Sequence, residues 1–100
     1  MPQRFEQELH TRVNEVLHYL WDPIGVRGEP RARDEYDAYV PDVYALLSQG
    51  ASAEHIATHL DHIATERMGL GSNLEHSQAT ARTLLAWRTT LLERRPEILR

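Results

Sequence analysis

The sequence contains no cysteine and no lysine among its 100 residues. Without cysteine, the chain cannot form disulfide bonds, thiolate zinc sites or cysteine nucleophiles, and its small size is not that of a bridged secreted scaffold. No histidine or serine stands at a spacing that would complete a known nucleophilic arrangement. These absences favour a cytoplasmic protein without a cofactor, and no catalytic signature indicates an enzyme.

Long apolar runs are also missing. The N-terminal segment MPQRFEQELH carries charge where a secretory signal requires an apolar core, and the uninterrupted apolar stretches are only a few residues long. We therefore expect neither a signal peptide nor a membrane-spanning segment.

The overall composition is typical of one folded domain. Apolar residues make up 41% of the chain and charged residues 26%, and a chain of this length buries roughly two-thirds of the surface that its unfolded form exposes. The formal net charge is −4, and the arginines do not cluster with aromatic side chains as a phosphate-binding surface requires. We expect residues 1–100 to form a single domain that binds neither nucleic acid nor a membrane.

Apolar residues recur at three- and four-residue spacing along most of the chain, which predicts an all-α fold without strands. We predict a compact bundle of four helices, over residues of about 3–21, 35–48, 53–67 and 73–94. The predicted buried face of the first helix is Phe5, Leu9, Val13, Val16, Leu17 and Leu20. That of the second is Tyr36, Val40, Val43 and Leu47, widened by Tyr39, Tyr44 and Leu46.

The last two helices show the same pattern. The predicted buried face of the third is Ile56, Leu60 and Ile63, with Ala57 and Ala64 beside it. The predicted buried face of the fourth is Leu74, Ala81, Leu84, Leu85, Leu91 and Leu92. The residues expected to begin or end these helices are Asp34, Gly50, Ser52, Ser72 or Asn73, and Pro96. Pro41 falls inside the second predicted helix, where it should remove a backbone hydrogen bond to Asp37 and kink the helix.

The first helix should end at Trp21, because Pro23 moves Asp22 out of the α region of backbone space. Asp22 is itself a residue whose side chain accepts hydrogen bonds from backbone N–H groups one or two positions ahead. The following segment PIGVRGEPRAR, residues 23–33, contains two prolines and two glycines and shows no periodicity. A connection of that length is long for a helical bundle, and such loops often carry function.

The order of short motifs in the chain resembles a family of small, uncharacterised bacterial helical proteins. The resemblance is carried by LWDPIGV, by DEYDAYVPDVYALL and by AEHIATHLDHIATERMGL, so that a WDP motif, a loop and a DEY motif precede two further amphipathic helices. It extends from about Val13 to Leu92. The resemblance implies a compact helical fold, and it supplies no activity, cofactor or catalytic residue. Pro41 departs from the pattern of the family.

Polar and aromatic residues flank the long loop on both sides, and they form the first candidate binding site. They would meet if the first two helices pack antiparallel, and they are Trp21, Asp22, Asp34, Glu35 and Tyr36. Two of the acids could share acid and base roles around a substrate. The structural interpretation, which we favour, makes Asp22 a turn residue, Asp34 a helix cap, Tyr36 a core residue with a solvated hydroxyl and Trp21 a lid on the bundle.

Arg88 falls on the inward side of the fourth helix, between Leu84, Leu85 and Leu92, when each residue is rotated by about 100° around the helix axis. A buried guanidinium requires a carboxylate partner, because an unpaired buried charge is costly. We predict that Arg88 reaches Asp22, Asp34 or Glu35 and fixes the loop to the fourth helix. The alternative is that its aliphatic stem is buried while its charged end reaches water.

The third helix carries several metal-ligand residue types on one face. They are His55, His59, His62 and Glu66. Histidines spaced at i and i+4 on a helix can chelate a divalent metal ion. We favour a solvated polar face, because three ligands from one straight helix rarely converge and no HExxH motif is present. A pH-sensing role is a further alternative.

Trp87 lies at the edge of the apolar stripe of the fourth helix. Together with Leu91, Ile98 and Leu99 it could form a contact patch for another protein or for a second copy of this chain, giving a homodimer. The alternative is that Trp87 packs against the first helix of its own chain.

These features favour a small acidic cytoplasmic protein that acts as a protein–protein interaction module. A sharper form of this hypothesis is an immunity or antidote protein, in which the acids where the loop meets the first turn of helix two face a basic partner. The alternative function is binding of a metal ion or small molecule, through the histidines of the third helix or the region of Trp21, Asp34 and Arg88.

Overall fold

The computed structural model describes residues 2–94, with side chains from Arg4 onward. It contains the helices α1 (Pro2–Val16), α2 (Val40–Ser48), α3 (Ala53–His62) and α4 (Leu74–Glu93). Between residues 2 and 94 there is no strand, and the predicted all-α bundle of four helices is confirmed. Both α1 and α3 continue into one wider turn, the first π turn (Leu17–Trp21) and the second π turn (Ile63–Arg67).

The helices enclose one apolar core. α3 packs along α4, while α1 contacts both α4 and α2. Every residue predicted for the buried face of the third helix is buried, and so are the four central residues of the second. Most residues of the predicted apolar stripes are thus buried where α1 meets α2 and α4 and where α3 meets α4.

Two leucines predicted to be buried are instead exposed. Leu20 is 48% exposed and Leu74 is 44% exposed. The first π turn explains Leu20, because the wider turn shifts the register of the side chains, so that His18 and Trp21 face the core and Leu20 faces out. Leu74 is the first residue of α4, where the stripe begins only at Ser77.

The second helix begins later than predicted. Residues 34–39 form turns and a short 3-10 segment, Asp37–Tyr39, and α2 starts at Val40. Asp34 therefore caps no helix, and the predicted cap was wrong. Pro41 stands in the first turn of α2, where its missing N–H would have had no helical partner. The predicted kink was wrong for the same reason.

The other helix ends follow their capping residues. Ser52 accepts a hydrogen bond from the backbone N–H of His55 at 3.1 Å, and Asn73 accepts one from that of His76 at 3.2 Å. Gly50 ends α2 with a positive φ of 80°, and the N–H of Ala51 then reaches back to the carbonyl of Leu46. These helix boundaries are confirmed, whereas Pro96 lies outside the described residues.

The connection from α1 to α2 is longer than the predicted loop, because it extends to Tyr39. A short 3-10 turn, Pro30–Ala32, lies within it, and Glu29 caps that turn by accepting from the N–H of Arg31 at 3.3 Å. Tyr36 inserts into the core and divides the connection into two parts. Across the described helices, none has both the length and the apolar character needed to cross a membrane.

Candidate functional site

The junction between α1 and the long connection is built around Trp21 and Asp22. Trp21 is almost fully buried, and it ends the first π turn. Asp22 follows in the left-handed region, with φ 34° and ψ 60°, and its N–H donates to the carbonyl of Leu17 at 3.0 Å. Glycine aside, no other residue of the described chain has a positive φ. Such a conformation in a non-glycine residue is retained only where the surroundings hold it.

The carboxylate of Asp22 is what holds this junction. It accepts hydrogen bonds from the N–H of Val26 at 2.7 Å, the N–H of Arg27 at 3.1 Å and the hydroxyl of Tyr36 at 2.8 Å. The backbone donors lie four and five positions ahead, rather than one or two as predicted. Burial by itself raises the pKa of Asp22, but these three hydrogen bonds together leave it below its ordinary value. Asp22 is thus an ionised anchor for the loop.

Tyr36 closes the same junction from the other end of the loop. Its ring lies 5.4 Å from that of Trp21, and its hydroxyl accepts from the N–H of Ile24 at 3.2 Å while it donates to Asp22. Burial, with the hydrogen bond to Asp22, raises the pKa of Tyr36 far above its ordinary value. The hydroxyl therefore stays protonated and serves as a structural link, with no role as an acid or base near neutral pH.

The predicted partnership of Arg88 was wrong. Its guanidinium, in the described part of the chain, makes no hydrogen bond or ion pair with Asp22, Asp34 or Glu35. The reason is the register of α4 against α1. The residue of α4 that contacts the end of α1 is His76, which bonds to the carbonyl of Trp21 beside Asp22. Arg88 lies twelve residues further along α4, which is about 18 Å of helix. It is half-buried, in agreement with a buried stem and a solvated head.

The loop-flanking residues therefore separate into two groups. Trp21, Asp22 and Tyr36 meet in the junction described above. Asp34 and Glu35 are exposed and accept no hydrogen bond through their side chains within residues 4–94. The paired-carboxylate arrangement that acid–base chemistry would need is not formed by these residues.

Trp87 packs within its own chain. The guanidinium carbon of Arg12 in α1 lies 5.0 Å from the centroid of the Trp87 ring, in a cation–π arrangement. Arg12 is held there by an ion pair with Glu15. Trp87 is half-buried and Leu91 is buried, so little of the predicted contact patch is free at this position. Ile98 and Leu99, the other members of that patch, lie outside the described residues.

The histidines of α3 do not form a metal site in the structure. Over residues 2–94, no group of three or more His, Asp or Glu side chains is placed to hold a metal ion. His55, His62 and Glu66 are exposed, whereas His59 is half-buried. The Nε2 atom of His59 is buried and has no hydrogen-bond partner among the described residues, and burial lowers the pKa of this histidine despite the nearby carboxylate of Asp42.

A cleft of about 350 Å³, named here the helix-end cleft, lies between the ends of α1 and α3. Its polar lining residues are Asp22, Asp61, Asn73, His76 and Ser77, and its apolar ones are Trp21, Pro23, Ala64 and Leu70. Nε2 of His76 donates to the carbonyl of Trp21 at 2.7 Å, which joins α4 to the end of α1. Both π turns border the cleft, and such turns recur at functional sites.

Asp61 orders the opposite wall of the helix-end cleft. Its carboxylate accepts from the hydroxyl of Ser72 at 2.7 Å and from the N–H of Asn73 at 2.8 Å. The cap at Asn73 and the start of α4 are thereby fixed to α3. Neither Asp61 nor His76 nor Ser77 was selected from the sequence. The available signal was the register of α4, since Ser77 and Thr80 precede Ala81 and Leu84 at the spacing of the buried stripe.

A second surface is distinguished by its charge, and it is named here the acidic segment, residues 34–42. Its four carboxylates are exposed, and they belong to Asp34, Glu35, Asp37 and Asp42. Asp37 accepts a hydrogen bond from the amide of Asn14 at 2.7 Å. No arginine or lysine occurs anywhere in residues 34–66, although that stretch holds seven acids. The stretch is thus an unbalanced block of negative charge.

Comparison with family models, curated proteins and solved structures found no match to this chain. The resemblance to the family with WDP and DEY motifs stays a prediction.

Proposed function

We propose that this protein is a protein–protein interaction module whose acidic segment docks on a basic surface of a different protein. The observation that carries the proposal is the set of four exposed carboxylates at Asp34, Glu35, Asp37 and Asp42. Across the described chain, none of them is neutralised by an ion pair with an arginine. Asp37 accepts only from the neutral amide of Asn14, so all four carboxylates keep their charge available to cations on another molecule.

The segment is also held in place before any partner arrives. Tyr36, in its middle, is 2% exposed and is linked through its hydroxyl to Asp22 and Ile24. The acids on either side of Tyr36 are therefore fixed to the core through a rigid aromatic anchor. A preorganised surface loses less conformational entropy on binding than a mobile loop does.

Charge complementarity determines which partner fits. A second copy of this chain would bring like charges together at the acidic segment, so the partner must be a different protein with clustered lysine or arginine side chains. Such a charge pattern accelerates association by electrostatic steering. An immunity or antidote protein that covers the basic working surface of a toxin is the specific form of this proposal.

Site-specific photo-cross-linking in the producing cells tests the proposal. Ala38 is exposed inside the acidic segment, and Ala86 is exposed on α4, so a photoreactive phenylalanine analogue is placed at each position in turn. We expect a discrete protein of basic isoelectric point to be linked at position 38 and to be absent at position 86. Equal linking at both positions, or no discrete product at 38, would contradict the proposal.

Charge variants then test the steering. The first variant combines Asp34→Asn, Glu35→Gln, Asp37→Asn and Asp42→Asn. The control removes the same amount of charge elsewhere and combines Glu6→Gln, Glu8→Gln, Glu75→Gln and Glu93→Gln. The association rate constant with the linked partner should fall at least roughly tenfold for the first variant at low salt, and it should change far less for the control. Equal association rate constants for the two variants would contradict electrostatic steering by the acidic segment.

A further inference from the structure

The helix-end cleft is a separate feature from the acidic segment, because Asp34, Glu35, Asp37 and Asp42 take no part in lining it. It is a built space, closed on one side by the hydrogen bond from His76 to the Trp21 carbonyl. Its walls come from the two π turns and from the first turns of α4. A ligand held by these walls would bind independently of the proposed function of the acidic segment.

Ser77 is the residue that points to a ligand. It lines the cleft and is 2% exposed, yet in the described residues its hydroxyl forms no hydrogen bond with a protein atom. The neighbouring buried hydroxyl of Thr80, by contrast, donates to the carbonyl of His76 at 3.0 Å. The Ser77 hydroxyl is not among the fully buried polar atoms of the described residues, so it opens into the cleft and is free to accept a hydrogen bond from a group bound there.

The charge of the walls determines the sign of that group. Among the residues that the structure describes, two carboxylates, Asp22 and Asp61, line the cleft, and no arginine does. The three donors on Asp22 come from the loop and from Tyr36, and those on Asp61 come from Ser72 and Asn73. No ion pair within residues 4–94 neutralises Asp61. A cation is therefore attracted to this space, and an anion is repelled.

The size and lining favour an organic cation over a metal ion. Asp22, Asp61 and His76 all border the cleft, but among the described side chains they do not come together as a set of metal ligands. Ala64 and Leu70 add apolar wall beside the carboxylates. A pocket with a few polar groups on an apolar wall fits a ligand that is charged at one end and aliphatic at the other.

We propose that the helix-end cleft binds a primary alkylammonium group, which donates hydrogen bonds to the Asp61 carboxylate and the Ser77 hydroxyl while its alkyl chain lies against Ala64 and Leu70. An ammonium carries three donors, and Asp61 and Ser77 are both acceptors. The same chemical group occurs on a free amine and on a lysine side chain of another protein.

The test uses three four-carbon probes that differ only in their end group: n-butylammonium, butyrate and 1-butanol. Each is titrated into the full chain at constant ionic strength, and backbone amide resonances are followed by two-dimensional nitrogen–proton NMR. We expect n-butylammonium to shift the amides of Trp21, Asn73 and Ser77 with saturation. Shifts of the same size and affinity with butyrate or butanol would overturn the proposal.

Two variants with matched controls locate the binding. Ser77→Ala removes a hydroxyl without a protein partner, so its thermal unfolding should match that of the parent, while its affinity for n-butylammonium should fall about tenfold. Ser48→Ala, an exposed position at the end of α2, should leave that affinity unchanged. Asp61→Asn should reduce the affinity further, whereas Asp42→Asn in the acidic segment should not. Equal affinities for Ser77→Ala and Ser48→Ala would disprove the site even if Asp61→Asn fails to fold.

A final titration separates the two sources of the ammonium group. Nα-acetyl-lysine N-methylamide presents the same group on a peptide unit. Binding tighter than that of n-butylammonium assigns the cleft to a lysine of a partner protein, and binding weaker than it assigns the cleft to a free amine. The variant with four neutralised acids in the acidic segment should still bind n-butylammonium, so failure of the cleft and failure of the proposed function are distinguishable.

Discussion

The ends of α1 and α3 share one local geometry but are stabilised in different ways. Each winds into a single π turn, Leu17–Trp21 and Ile63–Arg67, and in each the next residue donates its N–H back to the start of the turn. The first is then tied to distant residues, through Tyr36 and through His76. The second is closed by its own backbone, with the N–H of Leu70 reaching the carbonyl of Ala64 at 2.9 Å.

The second π turn packs Ile63 and Ala64 into the core, so the difference shows only that such a turn does not require long-range hydrogen bonds. What the long-range contacts add at the first end is a connection between three parts of the fold, namely α1, the loop to α2 and the start of α4. A change at the first π turn should therefore disturb the whole protein, whereas an equivalent change at the second should stay local. The predictions below test this contrast, beginning with the largest expected effect.

The last residue of each π turn gives the largest contrast. Trp21 is buried under the loop, and Arg67 is exposed. Trp21→Ala should lower the free energy of unfolding by about 4 kcal/mol, because it leaves a large cavity in the core. Arg67→Ala should cost less than about 0.5 kcal/mol. Urea denaturation followed by circular dichroism measures both, and losses of similar size would remove the distinction between the two ends.

Asp22→Asn tests the anchor that follows the first π turn. Asparagine tolerates the left-handed backbone conformation, but its amide cannot replace a carboxylate that accepts from three donors. We expect a loss of about 2 kcal/mol at neutral pH, since hydrogen bonds to a charged group are lost. The exposed Asp42, whose carboxylate accepts no hydrogen bond within the described chain, provides the control, and Asp42→Asn should change the free energy of unfolding in urea only slightly.

The same variant carries a pH signature. Because the pKa of Asp22 is lower in the folded protein than in the unfolded chain, its contribution to stability is complete above the ordinary aspartate value of about 4. The contribution is lost as the pH falls through the folded value. The gap in unfolding free energy between parent and Asp22→Asn should hence narrow in acid. A constant gap from pH 7 to pH 3 would show that the carboxylate charge is not what holds the junction.

Tyr36→Phe removes only the hydroxyl that joins Asp22 to Ile24. The ring can still fill its place beside Trp21, but the N–H of Ile24 loses its acceptor and Asp22 loses a donor. We expect a loss of about 1 to 2 kcal/mol. Tyr39→Phe is the matched control, because the Tyr39 hydroxyl, within the described chain, takes part in no hydrogen bond. Equal stability of the two variants in urea would contradict the proposed link.

The smallest effect is expected one turn before the second π turn, at His59. Its pKa is lowered mainly by burial, so the unfolded chain binds the proton more readily than the folded one. The contribution of His59 to the free energy of unfolding is complete above about pH 6.5, where the side chain is neutral in both states. It is lost as the pH falls through the lower pKa of the folded protein. The effect should stay below about 1 kcal/mol, because the side chain is partly solvated.

His59→Leu should flatten the dependence of stability on pH between about 7.5 and 5. His55→Leu, at an exposed position on the same helix, should leave that dependence as it is in the parent. Thermal unfolding midpoints over this range provide the measurement. If the unfolding temperature of the parent protein does not decrease as the pH is lowered below 6.5, the assignment of the pH dependence to His59 is contradicted.

The sequence was sufficient for the helices whose faces follow a regular period. Val43, Leu47, Ile56 and Leu60 are buried as expected, since the three- and four-residue spacing of apolar side chains directly specifies a buried stripe. The Ser52 cap was predictable for a similar reason, because its chemistry is local. Local rules thus gave the class of fold and most of the core.

The sequence was not sufficient where distant residues determine the geometry. The first π turn shifts Leu20 to the surface, and its five residues contain no sequence signal that predicts a π turn. Arg88 satisfied every local criterion for a buried partner of Asp22, but its distance from Asp22 depends on the register of α4 against α1. That register is set by contacts such as His76 with Trp21, which periodicity cannot supply.

The two candidate surfaces differ in the same way, because one could be predicted from the sequence and the other could not. The acidic block at residues 34–66 can be found by counting charges, and the acids at its start were already selected. The helix-end cleft could not be found in this way, because Asp61 and Ser77 are ordinary helix residues until α3 and α4 bring them to one space. Among its lining residues, only Trp21 and Asp22 were selected from the sequence as candidate binding residues.

The antiparallel register of α1 and α4 has a spectroscopic consequence. The two tryptophans of the chain stand at different points along this helix pair, Trp21 at the junction with the loop and Trp87 beneath the guanidinium of Arg12. Trp21 is shielded from solvent, whereas Trp87 is only half-buried, so the fluorescence of Trp21 should be emitted at a shorter wavelength than that of Trp87. Replacing either one by phenylalanine leaves a single tryptophan, which can be excited selectively beside the four tyrosines, and each end of the helix pair can then be followed separately as the protein unfolds.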